Sequence, residues 1–265
     1  MRNMSEVVII TGAGSGIGRE FVKLFVADGA CVLAVSLLQA ELDELSRDIP
    51  SGAGQLTTLQ MDLTAADAAE RLLAFCSDRN ITPGTLINNA GFGCFGEAVE
   101  ENIGKVASMI ALNVTTLTKL SLLFGAQMKT RGSGRILNVG SIAGMVPAQN
   151  MAAYCATKAY VNSFTLTLAA ELKPYGVTVT CLAPGATQTK FAEAGGILGF
   201  MGRSKLKSMF AAQKGGSPAD VARHGYQGLL AGKNFVLTGK DARTAYLVSR
   251  LLPQAIIPRL LGKAV

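Results

Sequence analysis

The chain has 265 residues, 49% of them hydrophobic and 16% charged, with a formal net charge of +7. That is enough apolar mass for one large core and too little charge for a disordered chain. The five cysteines, Cys31, Cys76, Cys94, Cys155 and Cys181, have no Cys-x-x-Cys spacing and His224 stands alone, so neither a disulfide framework nor a metal site is expected. The first apolar run, Val7 to Ile10, is too short for a signal peptide, and no apolar run is long enough to span a bilayer. We therefore expect a cytoplasmic protein of reduced thiols.

In chain order, Val7 to Ile10 reads as a buried strand. Thr11-Gly12-Ala13-Gly14-Ser15-Gly16-Ile17-Gly18 follows it and opens a helix, Arg19 to Ala27. Glycines there let the backbone turn tightly and approach a pyrophosphate, whose charge meets the free N–H groups of the helix. A second strand, Cys31 to Val35, leads through Ser36 into a helix, Ala40 to Asp48. A third strand, Leu56 to Met61, ends at Asp62-Leu63, and a helix, Ala65 to Cys76, precedes a short strand, Thr85 to Ile87. After Asn88-Asn89-Ala90-Gly91 comes a long helix, about Gly104 to Lys129, carrying Asn113, which its position alone would make a solvated helix residue or one bonded to the i−4 carbonyl. Strand Arg135 to Val139, helix Met151 to Lys173, strand Val177 to Leu182, helix Pro218 to Leu230 and strand Phe235 to Leu237 complete the alternation. Such a pattern predicts a doubly wound parallel sheet with helices on both faces, a single α/β domain over residues 1–265.

The chemistry concentrates between Ser141 and Lys158. Ser141 leaves the carboxyl end of a buried strand, where open α/β sheets bind ligands. Tyr154 and Lys158 lie four apart on a helix and share a face. An ammonium ~5 Å from a phenol favours the phenolate by on the order of 3 kcal/mol at an effective dielectric of ~20. The phenol still stays mostly protonated near neutrality, so a second positive charge is wanted, which oxidised nicotinamide would supply. A Tyr and a Lys at this spacing also arise by chance with no catalytic meaning, and the rest of the chain decides between the two readings.

Taken together, these pieces resemble the short-chain dehydrogenase/reductase family, over about Val7 to Thr238. The resemblance implies a Rossmann fold and a nicotinamide cofactor. It implies that Gly12, Ser15, Gly16, Ile17 and Gly18 form the cofactor turn, and that Asp62 with Leu63 meets the adenine. Asn89, Ala90 and Gly91 would face the cofactor, Pro184 and Gly185 would form the nicotinamide-side loop, and Thr187 and Thr189 would follow on that loop. It makes Asn113, Ser141, Tyr154 and Lys158 a catalytic tetrad: Tyr154 exchanges the substrate proton and Ser141 orients the oxygen. Lys158 lowers the tyrosine pKa and holds the ribose, and Asn113 holds a water that links lysine to solvent. The stretch Asn88 to Gly96 is similar to members described as carbonyl reductases. The function expected is hydride transfer between a nicotinamide and an apolar ketone or secondary alcohol. The alternatives are a 3-oxoacyl thioester reductase and a non-catalytic dinucleotide sensor. A methyltransferase of similar topology would have no use for the Tyr154 and Lys158 pair.

In cofactor choice the chain departs from both usual family patterns, since Ser36 stands where an acidic residue would favour NAD(H) and Leu37 where an arginine would favour NADP(H). With nothing acidic there and a hydroxyl at Ser36, NADP(H) is the expected preference. From Lys190 onward 12 Lys and Arg face 3 Asp and Glu. Residues 190–216, with Phe191, Phe200, Met209 and Phe210, read as a substrate lid, and 241–265 as a helical tail split near Pro253. For the basic, apolar tail the favoured reading is a helix docked on the core or on a second subunit of a homodimer or homotetramer. An anionic handle on the substrate and peripheral contact with an anionic membrane are less favoured, and no nucleic-acid partner is expected.

Overall fold

The computed structural model describes residues 6–50, 54–187, 216–253 and 256–257. Within them lie seven strands: β1 (Glu6–Thr11), β2 (Cys31–Ser36), β3 (Gln55–Gln60), β4 (Thr82–Asn88), β5 (Gly134–Val139), β6 (Val177–Pro184) and β7 (Phe235–Thr238). All pair in parallel, in the order β3-β2-β1-β4-β5-β6-β7. The winding reverses between β1 and β4, and a parallel sheet opens a ligand crevice at that point, outside its carboxyl edge.

Among the described residues eight α-helices pack around the sheet: α1 (Gly16–Ala27), α2 (Gln39–Asp48), α3 (Ala68–Asp78), α4 (Ile103–Ile110), α5 (Leu117–Arg131), α6 (Ala152–Leu172), α7 (Pro218–Leu230) and α8 (Lys240–Leu251). Side chains alternate along a strand, so neighbouring β1 residues serve different layers. Val8 and Ile10 join Phe21 and Phe25 of α1, Leu45 of α2 and Leu229 of α7. Ile9 turns the other way, to Leu72 of α3, Phe124 of α5 and Leu168 of α6. Burying each such large side chain stabilises by about 1.5–3 kcal/mol.

Three departures from the expected elements bear on the site. Helix α1 starts at Gly16 rather than Arg19, so the glycine turn runs straight into its first turn. Strand β4 starts at Thr82 rather than Thr85, because the register against β1 slips between Val7 and Val8 and the bulge at Gly84 absorbs the Pro83-Gly84 pair. The long helix runs from Ile103 to Arg131 but widens to a π-helical turn over Ala111–Thr116, between α4 and α5. This rotates Asn113 inward, and the residue expected to be solvated is 1% exposed.

Uninterrupted apolar runs understated one element, for the stretch Ile103–Arg131 is long and apolar enough to cross a membrane by length and composition, with mean hydropathy 1.5 over its most apolar window. Its inner face, including Leu120, Phe124 and Met128, packs on the sheet. Helix α8 docks at its start, where Ala242 is buried, while Leu247 and Leu251 are exposed. Thr189 and nearly all of the expected lid, residues 190–215, lie outside the described residues. Thr187 and Gly216, which flank that segment, form a parallel bridge beyond β6.

Candidate active site

The β1 side of the crevice is made by close backbone approach. Gly12 has φ +62, and a Cβ on it would stand 2.8 Å from the Ala90 Cα. A Cβ on Gly18 would stand 2.1 Å from the Gly12 carbonyl oxygen. The Asn89 Nδ2 donates to the carbonyls of Thr11 and Gly12, each at 3.0 Å, tying the loop after β4 to the turn after β1. The Thr11 hydroxyl accepts from the Asn89 and Ala90 N–H groups at 3.1 Å. Ser15 precedes α1 in extended conformation without capping it through its side chain, and Ile17 packs on the core beneath. A cradle that a Cβ would fill, next to the N-terminal N–H groups of α1, fits a dinucleotide pyrophosphate.

The outer residues of the expected cofactor set lie along the same edge. Asp62 is exposed, and the Thr64 hydroxyl and N–H, donating at 2.7 and 2.8 Å, hold its carboxyl below the ordinary range. Leu63 is buried, and its carbonyl accepts from the Thr116 hydroxyl at 2.8 Å. Pro184 ends β6, the Gly185 N–H donates to the Thr238 carbonyl at 3.0 Å, and the Thr187 hydroxyl donates to the Gly185 carbonyl at 3.0 Å. Ser36 differs from expectation, because its hydroxyl is not left open to a phosphate. It donates to the Glu41 carboxylate at 3.4 Å, so an acid does stand at the end of β2, supplied by α2.

The tetrad converges across β5, α6 and the π-helical turn. Ser141 begins the 3-10 turn Ile142–Gly144, and its hydroxyl accepts from the Ala143 N–H at 3.1 Å. The same side chain lies close enough to Tyr154 to favour its phenolate against burial. Lys158 is buried, donates from Nζ to the Val139 carbonyl at 2.8 Å, and stands 5.9 Å from the centroid of the Tyr154 ring. The Asn113 amide donates to the Phe92 carbonyl at 2.9 Å and to the Thr157 hydroxyl at 3.3 Å, and accepts from the Phe92 N–H at 3.2 Å. Gly91 keeps the gap between Asn113 and Lys158 open, for a Cβ there would be 2.8 Å from the Asn113 Oδ1 and 3.8 Å from the Lys158 Nζ.

Electrostatics at the pair run opposite to the simple charge estimate. Burial pushes the Tyr154 phenol up, the nearby Ser141 hydroxyl offsets part of this, and the Cys155 thiol adds a smaller upward push. Burial draws Lys158 down to about 8, against a smaller opposing effect of Cys181. Taking both groups out of water costs the charged form of each more than their mutual attraction returns. Burial thus keeps the Tyr154 phenol in its protonated form.

Sequence reasoning missed the residues that hold these groups. The Asn162 amide grips the Ser141 backbone, donating to its carbonyl at 2.9 Å and accepting from its N–H at 3.4 Å. Gly140 admits that amide, since a Cβ there would lie 2.0 Å from the Asn162 Oδ1. Asn162 lies four residues after Lys158, so the spacing that paired Tyr154 with Lys158 was the available signal. Gly144 lets the 3-10 turn rest on α6, as a Cβ would stand 2.4 Å from the Lys158 carbonyl carbon. Beside Tyr154 an apolar wall forms from Phe92, Cys94, Val106, Met109 and Met151, and the Phe95 ring lies 5.8 Å from the Tyr154 ring.

Known proteins are similar to this chain in sequence and fold. The chain is 30% identical over 262 residues to "Probable oxidoreductase EphD" of Mycobacterium tuberculosis, a match covering 94% of this chain but 44% of that protein, so the chain spans less than half the length of that relative. It is 34% identical over 184 residues to "Galactitol 2-dehydrogenase (L-tagatose-forming)" of Cereibacter sphaeroides, covering 68% of this chain and 71% of that one. Among solved structures, a short-chain dehydrogenase from Sphingobium yanoikuyae in complex with NADPH superimposes with a TM-score of 0.78 at 27% identity, covering 93% of each chain. The family model for short chain dehydrogenase matches residues 6–195, a stretch that takes in the glycine turn, Asn113, Ser141, Tyr154 and Lys158, and the chain belongs to that family.

Proposed function

We propose that this protein is a nicotinamide-dependent oxidoreductase that interconverts an apolar ketone and its secondary alcohol. The observation that carries the proposal is the gathering of buried Ser141, Tyr154 and Lys158, with Lys158 5.9 Å from the Tyr154 ring, at the carboxyl edge of the sheet and across the crevice from the glycine turn. The cofactor would be held by Gly12, Ser15, Gly16, Ile17 and Gly18 on one side and by Asn89, Ala90, Gly91, Pro184, Gly185 and Thr187 along the edge. When bound, the nicotinamide supplies or accepts the hydride.

The chain's own residues handle the proton. In reduction, Tyr154 gives its hydroxyl proton to the substrate oxygen as negative charge develops there, and Ser141 donates a second hydrogen bond to the same atom. Burial keeps Tyr154 protonated and ready for that step. Lys158, charged below about pH 8, stabilises the phenolate left behind. In oxidation the proton passes from the alcohol to Tyr154. Asn113 holds Phe92 and Thr157 in place around Lys158 and, in this reading, the water that returns protons to solvent.

An apolar substrate is supported by the Phe92, Cys94, Phe95 and Met151 wall beside Tyr154, which offers packing rather than hydroxyl recognition. Assembly into a homodimer or homotetramer in the cytoplasm belongs to the same reading, supported by Leu122, Tyr160 and Leu166, exposed on α5 and α6. The test is to incubate purified protein with each reduced dinucleotide and ketones graded from small and hydroxylated to bulky and apolar. Dinucleotide should be consumed fastest with bulky apolar ketones. No consumption with any ketone, and none produced from secondary alcohols, would overturn the proposal.

A further inference from the structure

We propose that Cys181 positions Ser141 through Asn162, so that a thiol remote from the reacting atoms fixes where the Ser141 hydroxyl stands. The inference rests on the reading above that Ser141 orients the substrate oxygen. Asn162 stands one helical turn after Lys158 on α6, and its amide meets the carboxyl end of β5. Its Nδ2 donates to the Ser141 carbonyl at 2.9 Å, while its Oδ1 takes two donors, the Ser141 N–H and the Cys181 thiol, each at 3.4 Å. The N–H bond is long, so the backbone alone holds that side of the amide weakly. Cys181 arrives from β6, where it pairs with Asn138 of β5, and its own N–H donates to the Asn234 carbonyl at 2.9 Å.

Gly140 lets the two side chains meet. A Cβ there would lie 2.0 Å from the Asn162 Oδ1 and 3.3 Å from the Cys181 Sγ, so amide and thiol come together in the space that Gly140 leaves open. A buried cysteine is ordinarily a small apolar filler. This one faces an amide oxygen instead, and because it is fully buried, bulk water does not compete for the bond. Burial pushes the thiol up to about 12, against a smaller opposing effect of Lys158, so the sulfur keeps its proton to donate. A thiol is a weak donor, yet a buried amide oxygen with one long bond gains from a second. Gripped at both its N–H and its carbonyl, Ser141 enters the 3-10 turn with its backbone fixed, and the place of its hydroxyl follows.

The experiment measures kcat and dinucleotide Kd for wild type, Cys181→Ala, Cys181→Ser, Asn162→Ala and the double variant of Cys181→Ala with Asn162→Ala. The substrate is whichever ketone of the graded series wild type reduces fastest. Cys181→Ala should lower kcat by about three- to fivefold with Kd unchanged, and Cys181→Ser, which keeps a donor, should recover most of that loss. In the Asn162→Ala background the same Cys181→Ala change should cost less than about twofold, because the link it breaks is already gone. The infrared S–H stretch is a second readout that needs no turnover: Asn162→Ala should move the Cys181 band to higher frequency, towards that of a free thiol. Equal losses in both backgrounds, kcat and Kd worsening together, or an S–H band unmoved by Asn162→Ala overturn this inference and leave the oxidoreductase reading standing. Wild type that consumes no dinucleotide with any ketone overturns that reading and this one with it.

Discussion

On the β1 side of the crevice the chain makes room by leaving side chains out, whereas on the β5 side it fills the space with buried polar side chains that hold one another. Gly12 and Gly18 bring backbone against backbone, and Asn89 stitches the two loops together. Across the crevice, Ser141 depends on Asn162, Lys158 on the Val139 carbonyl, and Asn113 on Phe92. The first half tolerates no added atom and the second no lost partner. This suits the tasks proposed for them, because a pyrophosphate is bound by exposed N–H groups, while proton transfer needs side chains held to within a fraction of an ångström.

The largest effect should come from deleting a single oxygen on the polar side. Tyr154→Phe keeps the ring against Phe95 but removes the proton donor, and turnover should fall by roughly 10²–10⁴ with dinucleotide affinity nearly unchanged. Turnover within a few-fold of wild type would sink the assignment.

Adding one methyl on the other side tests the opposite vulnerability. In Gly18→Ala the new Cβ meets the Gly12 carbonyl at 2.1 Å, a backbone atom that cannot rotate away. A loss of about 1–3 kcal/mol in chemical denaturation is expected, with weaker dinucleotide binding. Unchanged binding and stability would mean that the turn is looser than its geometry implies.

Asn162→Ala sharpens the contrast, because the residue touches no reacting atom. It leaves the Ser141 N–H and carbonyl without their amide partner, at about 1–3 kcal/mol for each buried group, and should lower kcat by about tenfold while dinucleotide Kd holds. If kcat and Kd instead moved together, Asn162 would be a general structural residue rather than a positioner of Ser141.

The smallest effect is read through pH. The folded pKa of Lys158, about 8, lies below its ordinary 10.5, so below about 8 the folded state carries the full cost of a buried ammonium. Between about pH 8 and 10.5 the unfolded chain binds more protons than the folded one, and stability rises with pH. Wild type should therefore gain thermal stability relative to Lys158→Met across that window, on top of a pH-independent offset from the lost bond to Val139. A difference in Tm that stays flat from pH 7 to 10.5 would show that Lys158 is not depressed.

Much of this was legible in the chain because it is local. A strand such as β1 announces itself as four apolar residues, the glycine turn follows it directly, and Tyr154 and Lys158 share a helical face by spacing alone. The same locality explains the errors in detail. The strand expected from Thr85 begins at Thr82, and only pairing with β1 shows that a bulge carries it through Pro83 and Gly84.

What the sequence by itself determined is therefore the set of elements, their alternation and the chemical groups of the tetrad, since these follow from periodicity and residue type within a few neighbours. Tertiary structure decided how those groups are held and charged. Asn113 turns inward only because the helix widens at Ala111–Thr116, and Asn162 reaches Ser141 across 21 residues of chain. The pKa of Tyr154 moves up rather than down because desolvation, a property of the whole packed interior, outweighs one nearby ammonium. Glu41 is only five residues from Ser36, yet its place over Gly14 depends on how α2 leaves the sheet and how the turn after β1 is seated on β2. Residue type supplies the groups, and the desolvation and register that assign them their work exist only once the layers are packed.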